Sequence, residues 1–369
     1  MRVLFVDDEP RVLEAIERTL FQLDVDWEVT FAEGGPAALL ELEQAHFDVI
    51  VSDMRMPGMD GAALLALVCD KYPHIARIVL SGQTDEAAAF RVVRVAHQFL
   101  SKPCSSDALR QVIERTRELR GWLSEERLQA AVGRLDRLPS TPRLFTQLSQ
   151  ALDDESATAD TVAAIVRQDP AMSSKVLQVV NSSFFSSGSS VSDVRAAVLR
   201  LGMKTIRNLA LGIGAFDSVG KSNGQSNASV EALQKRSLSI AQLASRIAQG
   251  REDTDAAFMS GLVCDVGELI LGVAPVVDTE AASASQGQAD AVTHAEVGAF
   301  LLGLWGLPFR IVEAVANHHA PLRNAHDRLG LPQIVWLAAC LVQGIEPDPD
   351  YLQRISALEL LPKFKGMMA

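Results

Sequence analysis

Asp7, Asp8, Asp53, Ser81 and Lys102 are the residues of this chain best suited to shared chemistry. Each lies at the end of a short apolar run. "VLFV" (Val3–Val6) leads into Asp7-Asp8-Glu9, and "FDVIVSD" (Phe47–Asp53) ends in a carboxylate. "ARIVLSG" (Ala76–Gly82) carries Ser81, and "HQFLSK" (His97–Lys102) ends in the lysine. Carboxylates gathered in one crevice repel one another unless a hard cation joins them, and Mg²⁺ suits an all-oxygen donor set. A lysine and a hydroxyl beside them suit the oxygens of a phosphoryl group. The set describes an aspartyl-phosphate site: a carboxylate nucleophile, a metal ion to neutralise the incoming phosphate and a lysine to hold it. If Asp7 and Asp8 only capped a helix opening at Pro10, one run end would be explained and the others left without a role.

A second carboxylate stands out by its surroundings. "SGLVCDVGELIL" (Ser260–Leu271) is fit for a helical core but contains Asp265. A metal ligand, a hydrogen-bonded core group and a relic of lost chemistry are the three readings of it.

The elements that must position these groups follow from periodicity. Together with "WEVTFA" (Trp27–Ala32), the four apolar runs read as five strands. Amphipathic segments lie between them, among them Pro10–Leu23, Gly61–Tyr72 and Asp85–Ala96. Strand–helix alternation at this spacing implies a parallel sheet with helices on both faces. Sites in such sheets gather beyond the carboxyl ends of the strands, where all five chemical residues fall.

Composition sets the outer limits. At 369 residues two domains are expected. With 48% hydrophobic and 22% charged residues the chain reads as soluble and globular. A formal net charge of -12 disfavours non-specific binding to nucleic acid or an anionic membrane. No apolar run approaches a bilayer-spanning length, and no signal segment is read at the N-terminus. Cys69, Cys104, Cys264 and Cys340 form no CxxC pair, which argues against a zinc clip or a disulfide framework and fits a reducing cytoplasm.

The first third resembles the receiver domain of two-component response regulators, and "VSDMRMPGMDG" (Val51–Gly61) is similar to its phosphoacceptor motif almost letter for letter. The resemblance implies a five-stranded, flavodoxin-like α/β domain over residues 1–120, phosphorylated at Asp53 by a sensor histidine kinase or a small phosphodonor. It implies that Asp8 ligates Mg²⁺ directly with Asp53, and that Asp7 assists through water. Ser81 and Lys102 would hold the phosphoryl oxygens, and Phe99 would be the switch aromatic that turns inward on phosphorylation.

Residues 121–137 read as a helical connector. A helix begins at Ser106, its expected N-cap, and Leu109, Val112, Thr116, Leu119 and Leu123 form a narrow stripe along it. The stripe is short for a coiled coil, so a rigid connector is favoured over a homodimer seam. A further helix is expected to restart at Ser124.

Beyond "RLDRLPSTP" strand signals stop and capped helices follow, interrupted by the polar stretches Asp217–Ser229 and Thr279–Ala291. Residues 138–360 resemble the HDOD domain, an all-helical relative of HD-type metal phosphohydrolases. The resemblance rests on "LPSTPRLFTQLSQAL", "IVRQDPAMSSKVLQVVNSSFF", "AAVLRLGMKTIRNLAL" and "HAEVGAFLLGLWGLPFRIVEAVANHH" in that order. HD-type hydrolases hold cations through an early histidine, a His-Asp pair and later ligands. Here the pair's histidine falls on Cys264, leaving Asp265 alone; the early histidine falls on Arg236, and a usual lysine is Glu268. Arg236 is expected to pair with Asp265 in place of an ion. His294, before a helix starting near Ala295, is expected to be a buried hydrogen-bonded side chain. His318 and His319 are expected to close the helix from Pro308, and Asn181 in "VNSSFF" to anchor a loop through its backbone while Phe184 and Phe185 fill core.

The resemblance thus implies a cytoplasmic response regulator with Mg²⁺ in the receiver and no cofactor in a catalytically silent HDOD output. That output would act on a protein target, with a cyclic-dinucleotide signalling enzyme or another kinase as the classes considered, and would bind neither DNA nor membrane. The alternative is a phosphorylation-regulated HD-type metal phosphohydrolase or cyclic-dinucleotide phosphodiesterase.

Overall fold

The computed structural model describes the chain except residues 24, 83–94, 123–131, 133–141, 155, 183–184, 186–189, 208, 211–226, 272–292, 320–327 and 368–369. The helix expected over Asp85–Ala96, the restart at Ser124 and Phe184 lie largely or wholly outside the described residues, as do most of the two polar stretches and of the connector. The Asp217–Ser229 stretch ends sooner than expected, since a helix already begins at Asn227.

Five strands, β1 (Arg2–Asp7), β2 (Glu28–Glu33), β3 (Val49–Asp53), β4 (Ala76–Gly82) and β5 (Gln98–Lys102), form one parallel sheet in the order β2-β1-β3-β4-β5. Val3 pairs with both Val29 and Val49, Val49 with Ala76, and Ile78 with Gln98. β3 is buried throughout, as a strand with both faces covered must be. Helices α1 (Pro10–Gln22), α2 (Gly35–Gln44), α3 (Gly61–Lys71) and α4 (Ser106–Trp122) flank the sheet.

α4 differs from expectation at its cap. Its cap is Ser105, whose Oγ accepts from the Ala108 amide at 3.2 Å, so Ser106 is already helical. Its stripe is also taken within the chain. Leu109, Thr116 and Leu119 are buried and Val112 packs against the core.

The remainder is helical among the described residues. It comprises α5 (Pro142–Asp153), α6 (Ala159–Val166), α7 (Pro170–Asn181), α8 (Val194–Arg207), α9 (Asn227–Ala248), α10 (Thr254–Val263) and α11 (Val266–Leu271). α12 (His294–Leu304), α13 (Phe309–Ala316), α14 (Leu331–Gln343), α15 (Pro349–Arg354) and α16 (Leu361–Gly366) follow. Asp169 caps α7 through the Ala171 and Met172 amides, with Pro170 at the first helical position. Gly202, at φ 78°, breaks α8 into two halves. Asn181 exchanges two hydrogen bonds with the Val191 backbone, at 2.8 and 2.7 Å, and so anchors its loop.

The hydrophobic core runs unbroken from the sheet into the helical part. One cluster joins Phe5 and Val51 to Leu119, Leu307 and Val176, and a second gathers around Trp336 and Tyr351. No helix among the described residues is long and apolar enough to cross a membrane.

Candidate functional site

Parallel pairing places the carboxyl ends of β1, β3, β4 and β5 side by side, and their terminal residues form a crevice. Asp7, Asp53 and Ser81 are buried there, while Asp8 stands exposed at the rim. Lys102 Nζ donates to Asp7 Oδ2 at 2.7 Å and also contacts Asp53 Oδ1. Burial alone would lower the Lys102 pKa, but the bonds to Asp53 and Asp7 outweigh it and hold the ammonium above its usual value. The second oxygens are held by backbone: Asp7 Oδ1 accepts from the Glu9 amide at 2.9 Å, and Asp53 Oδ2 from the Arg55 amide at 2.6 Å. Asp7 therefore shapes the turn before α1 without capping it, since the cap position is Glu9. Gly61 brings the start of α3 against Asp53; a Cβ there would sit 2.2 Å from the Asp53 carbonyl oxygen. Oxygen-only donors at Asp7, Asp8 and Asp53 fit Mg²⁺.

Phe99 on β5 is already enclosed, at 5% exposure, whereas an inward turn was expected only on phosphorylation. The reason is that β5, an edge strand, is covered by the helical domain. Gln178 Nε2 of α7 donates to the His97 carbonyl at 3.0 Å, and Arg115 of α4 donates to the Leu307 carbonyl. Gly303 of α12 lets α4 come close, because a Cβ there would meet Leu119 Cδ2 at 2.4 Å. A cavity of about 600 Å³ remains between the domains, lined by Phe99, Val112, Arg115, Gln178 and Trp305 among others.

The second constellation is built where α9, α11 and α12 meet. Small residues set its distances. A Cβ at Gly261 would lie 2.8 Å from Ala241 Cα, and one at Gly267 would lie 1.9 Å from the His294 carbonyl oxygen. Glycine at 261 thus brings α10 onto α9, and the Gly267–Gly298 contact brings α11 onto α12, so Asp265 is delivered beside His294.

Arg236 Nε donates to Asp265 Oδ2 at 2.7 Å, the pair anticipated from the sequence. Its Nη2 reaches Glu268 Oε1 at 2.6 Å, a second partner that sequence reasoning missed. Burial works against the guanidinium's charge, but the two carboxylates outweigh it and raise the Arg236 pKa. Burial would likewise raise the Asp265 pKa; contacts with His294, His318 and Arg236 prevail and hold it well below the usual carboxylate range. Cys264 donates to the Gly261 carbonyl at 3.2 Å. Burial first, and Asp265 next, push its thiol well above the ordinary cysteine value.

The histidines depart from the separate structural roles expected of them. Thr293 caps α12 in a capping box with Glu296, so His294 is the first helical residue, and His318 and His319 lie just beyond α13. All three imidazoles turn toward Asp265. His294 Nε2 and His318 Nε2 lie 3.7 and 3.4 Å from Asp265 Oδ1, and His319 Nε2 lies 2.9 Å from His294 Nε2. One ligand atom from each of the four residues falls within 4.8 Å of the others. Burial, then His318 and His294, push the His319 pKa down to about 2. The sequence signal for this convergence was a histidine doublet just past one helix and a lone histidine opening another.

Comparison with known proteins agrees with both halves. The response regulator receiver domain family matches residues 3–114, and the HDOD domain family matches residues 138–321. The hydrogenase transcriptional regulatory protein HoxA of Cupriavidus necator is 36% identical over 154 residues, covering 41% of this chain and 30% of its own. An uncharacterized protein of Treponema pallidum is 23% identical over 267 residues, 66% of this chain and 49% of that one. The chain spans about a third or less of the curated response regulators it matches. Among solved structures, the MmoQ response regulator of Methylococcus capsulatus is 24% identical, covers 62% of this chain and 98% of its own, and superposes with a TM-score of 0.47. The signal receiver domain of an HD domain-containing protein from Pseudomonas fluorescens is 28% identical over 32% of this chain and 97% of its own, with a TM-score of 0.30. The chain therefore belongs to the response regulators, and it joins an N-terminal receiver domain to an HDOD domain of the HD superfamily.

Proposed function

We propose that this response regulator takes a phosphoryl group on Asp53 from a sensor histidine kinase or a small phosphodonor in the cytoplasm. Its HDOD domain then acts as a catalytically silent module on a protein partner, such as a cyclic-dinucleotide signalling enzyme or another kinase. Mg²⁺ held by Asp7, Asp8 and Asp53 would neutralise phosphoryl charge, and Ser81 and Lys102 would hold the remaining oxygens. Phosphorylation adds about 1.5 to 2 negative charges to the crevice. Lys102, now shared between Asp7 and Asp53, is drawn toward that charge and carries β5 with it.

One observation carries the coupling: Gln178 of the HDOD domain donates to the His97 carbonyl, two residues before Phe99 on the strand that ends in Lys102. A shift of β5 is thereby felt directly by α7 and, through Arg115 and Leu307, by the segment after α12. The net charge of -12 favours a protein partner over DNA. Silence of the output is supported by Arg236 lying against Asp265 and Glu268.

The test is recovery of partners from native lysate with untreated protein, with protein treated with a beryllofluoride phosphate mimic, and with Asp53→Asn. A partner whose recovery changes with the mimic only in the unmutated protein supports the reading. Equal recovery in all three overturns it. The His-Asp cluster favours a second reading, a regulated HD-type phosphohydrolase, and turnover of cyclic dinucleotides that is lost in Asp265→Asn would establish it.

A further inference from the structure

The cavity between the two domains differs in charge from the chain as a whole. Its volume of about 600 Å³ lies within the range of small-ligand sites, which favour domain interfaces. Exposed Pro103, Ser105 and Gln111 connect it to solvent, and buried Phe99, Gln178 and Trp305 also line it. The chain carries a net charge of -12, yet among the described residues no carboxylate lines this cavity. Arg115 carries the one full charge in its lining. Burial raises the pKa of the lining thiol, Cys104, so that group adds no negative charge.

Arg115 is under-satisfied where it stands. Its guanidinium donates to the Leu307 carbonyl, but its Nε is buried with no hydrogen-bond partner among the described residues. It forms no ion pair among them either. Burial lowers its pKa, and Glu118, acting from farther off, offsets only part of that. A guanidinium held out of water without a counter-ion is costly, and an anion beside it removes the cost. Gln178 faces the same cavity from the HDOD domain. Its Nε2 is taken by the His97 carbonyl, and its buried Oε1 accepts from nothing among the described residues. The receiver wall therefore lacks an anion, and the helical wall lacks a donor.

Phe99, Val112 and Trp305 supply apolar wall between these two groups. An apolar body with a few polar groups is the usual composition of a small-molecule site. We propose that this cavity binds a small organic anion, a carboxylate or phosphate joined to an aromatic ring. The acid group would lie on Arg115, a donor on the ring would reach Gln178, and the ring would pack on Val112 and Trp305. Arginine pairs with carboxylate and phosphate oxygens in the same two-pronged manner, so one recognition serves both acids. The inference does not rest on the proposed output role, because it is read by binding and not by partner recovery or turnover.

The experiment titrates the full chain with indole-3-acetate, phenyl phosphate and AMP, and with their uncharged counterparts indole-3-acetamide, phenol and adenosine. At least one anion is expected to raise Tm saturably, as a ligand of the folded state must, while its counterpart has little effect. Calorimetry should show the affinity falling about tenfold or more in Arg115→Gln, the loss of a charge-assisted contact. Binding should also be lost in Ala108→Trp, which fills the cavity and leaves the guanidinium in place. Both variants are checked for helical content. Binding should persist in Lys102→Met, which removes the cation of the phosphoacceptor crevice. A response to indole-3-acetate alone would assign the acid as a carboxylate, and a response to the other two alone as a phosphate. The proposal is overturned if no anion outperforms its uncharged counterpart. Binding that survives either cavity variant, or is lost in Lys102→Met, also overturns it by placing the anion elsewhere.

Discussion

The receiver crevice and the HDOD pocket both gather carboxylates, yet they handle the charge in opposite ways. In the crevice, Asp8 stands in water and Lys102 is one-third exposed, so cations and phosphoryl groups can enter and leave. In the pocket, Asp265 is fully enclosed, and Arg236 and three histidines surround it permanently. An exchangeable site keeps its compensating charge on a flexible side chain at the solvent boundary. A fixed site builds that charge into facing helices, where loss of one member leaves an uncompensated buried ion.

The contrast can be broken at several points. The largest effect is expected for Asp53→Asn, which should abolish phosphoryl uptake from acetyl phosphate, seen as loss of the phosphorylated band on phosphate-affinity gels. In the pocket, Arg236→Ala should destabilise the HDOD domain by about 3–5 kcal/mol, measured by urea denaturation, because Asp265 and Glu268 lose their shared cation. A loss below about 1 kcal/mol would mean that the pocket is as adaptable as the crevice.

Gly267→Ala forces a methyl group into the His294 carbonyl and should cost about 1–3 kcal/mol, with a drop in Tm and perturbed histidine NMR signals. Gln178→Leu removes one interdomain hydrogen bond, worth about 1 kcal/mol, and should raise amide exchange on β5 while leaving α3 unchanged. The smallest effect concerns pH. The folded-state Lys102 pKa is raised, so its contribution is complete below the ordinary value of 10.5 and disappears as pH rises through the folded value. Lys102→Met should flatten that alkaline loss slightly, since the group is partly solvent-screened.

The crevice was almost wholly legible in the sequence, because a parallel sheet forces strand ends together whatever the rest of the chain does. Parallel register aligns the strand ends, and Lys102 joins Asp7 and Asp53 there. The pocket was only half legible. Arg236 and Asp265 could be paired by comparing their positions with the HD pattern, but the histidines' convergence depends on helix approach. That approach is set by contacts at Gly261, Gly267 and Gly298, which carry no periodic signal. Glu268 read as a lost lysine and proved to be a second partner of Arg236. The cover over β5 was likewise hidden, since Gln178 and Leu307 look like ordinary positions of an all-helical stretch.

The close approach at Gly303 has a consequence for how this protein can be taken apart. Leu119 is 2% exposed because α12 lies against it, although in sequence it closes the receiver. The family boundary, which ends the receiver at residue 114, cuts through α4 before Leu119. A fragment cut there would lose Leu119, and one extended to the end of α4 would present it bare to water. The receiver is thus no exchangeable cassette: grafting it onto another output would require a new partner for that leucine, or a polar residue in its place.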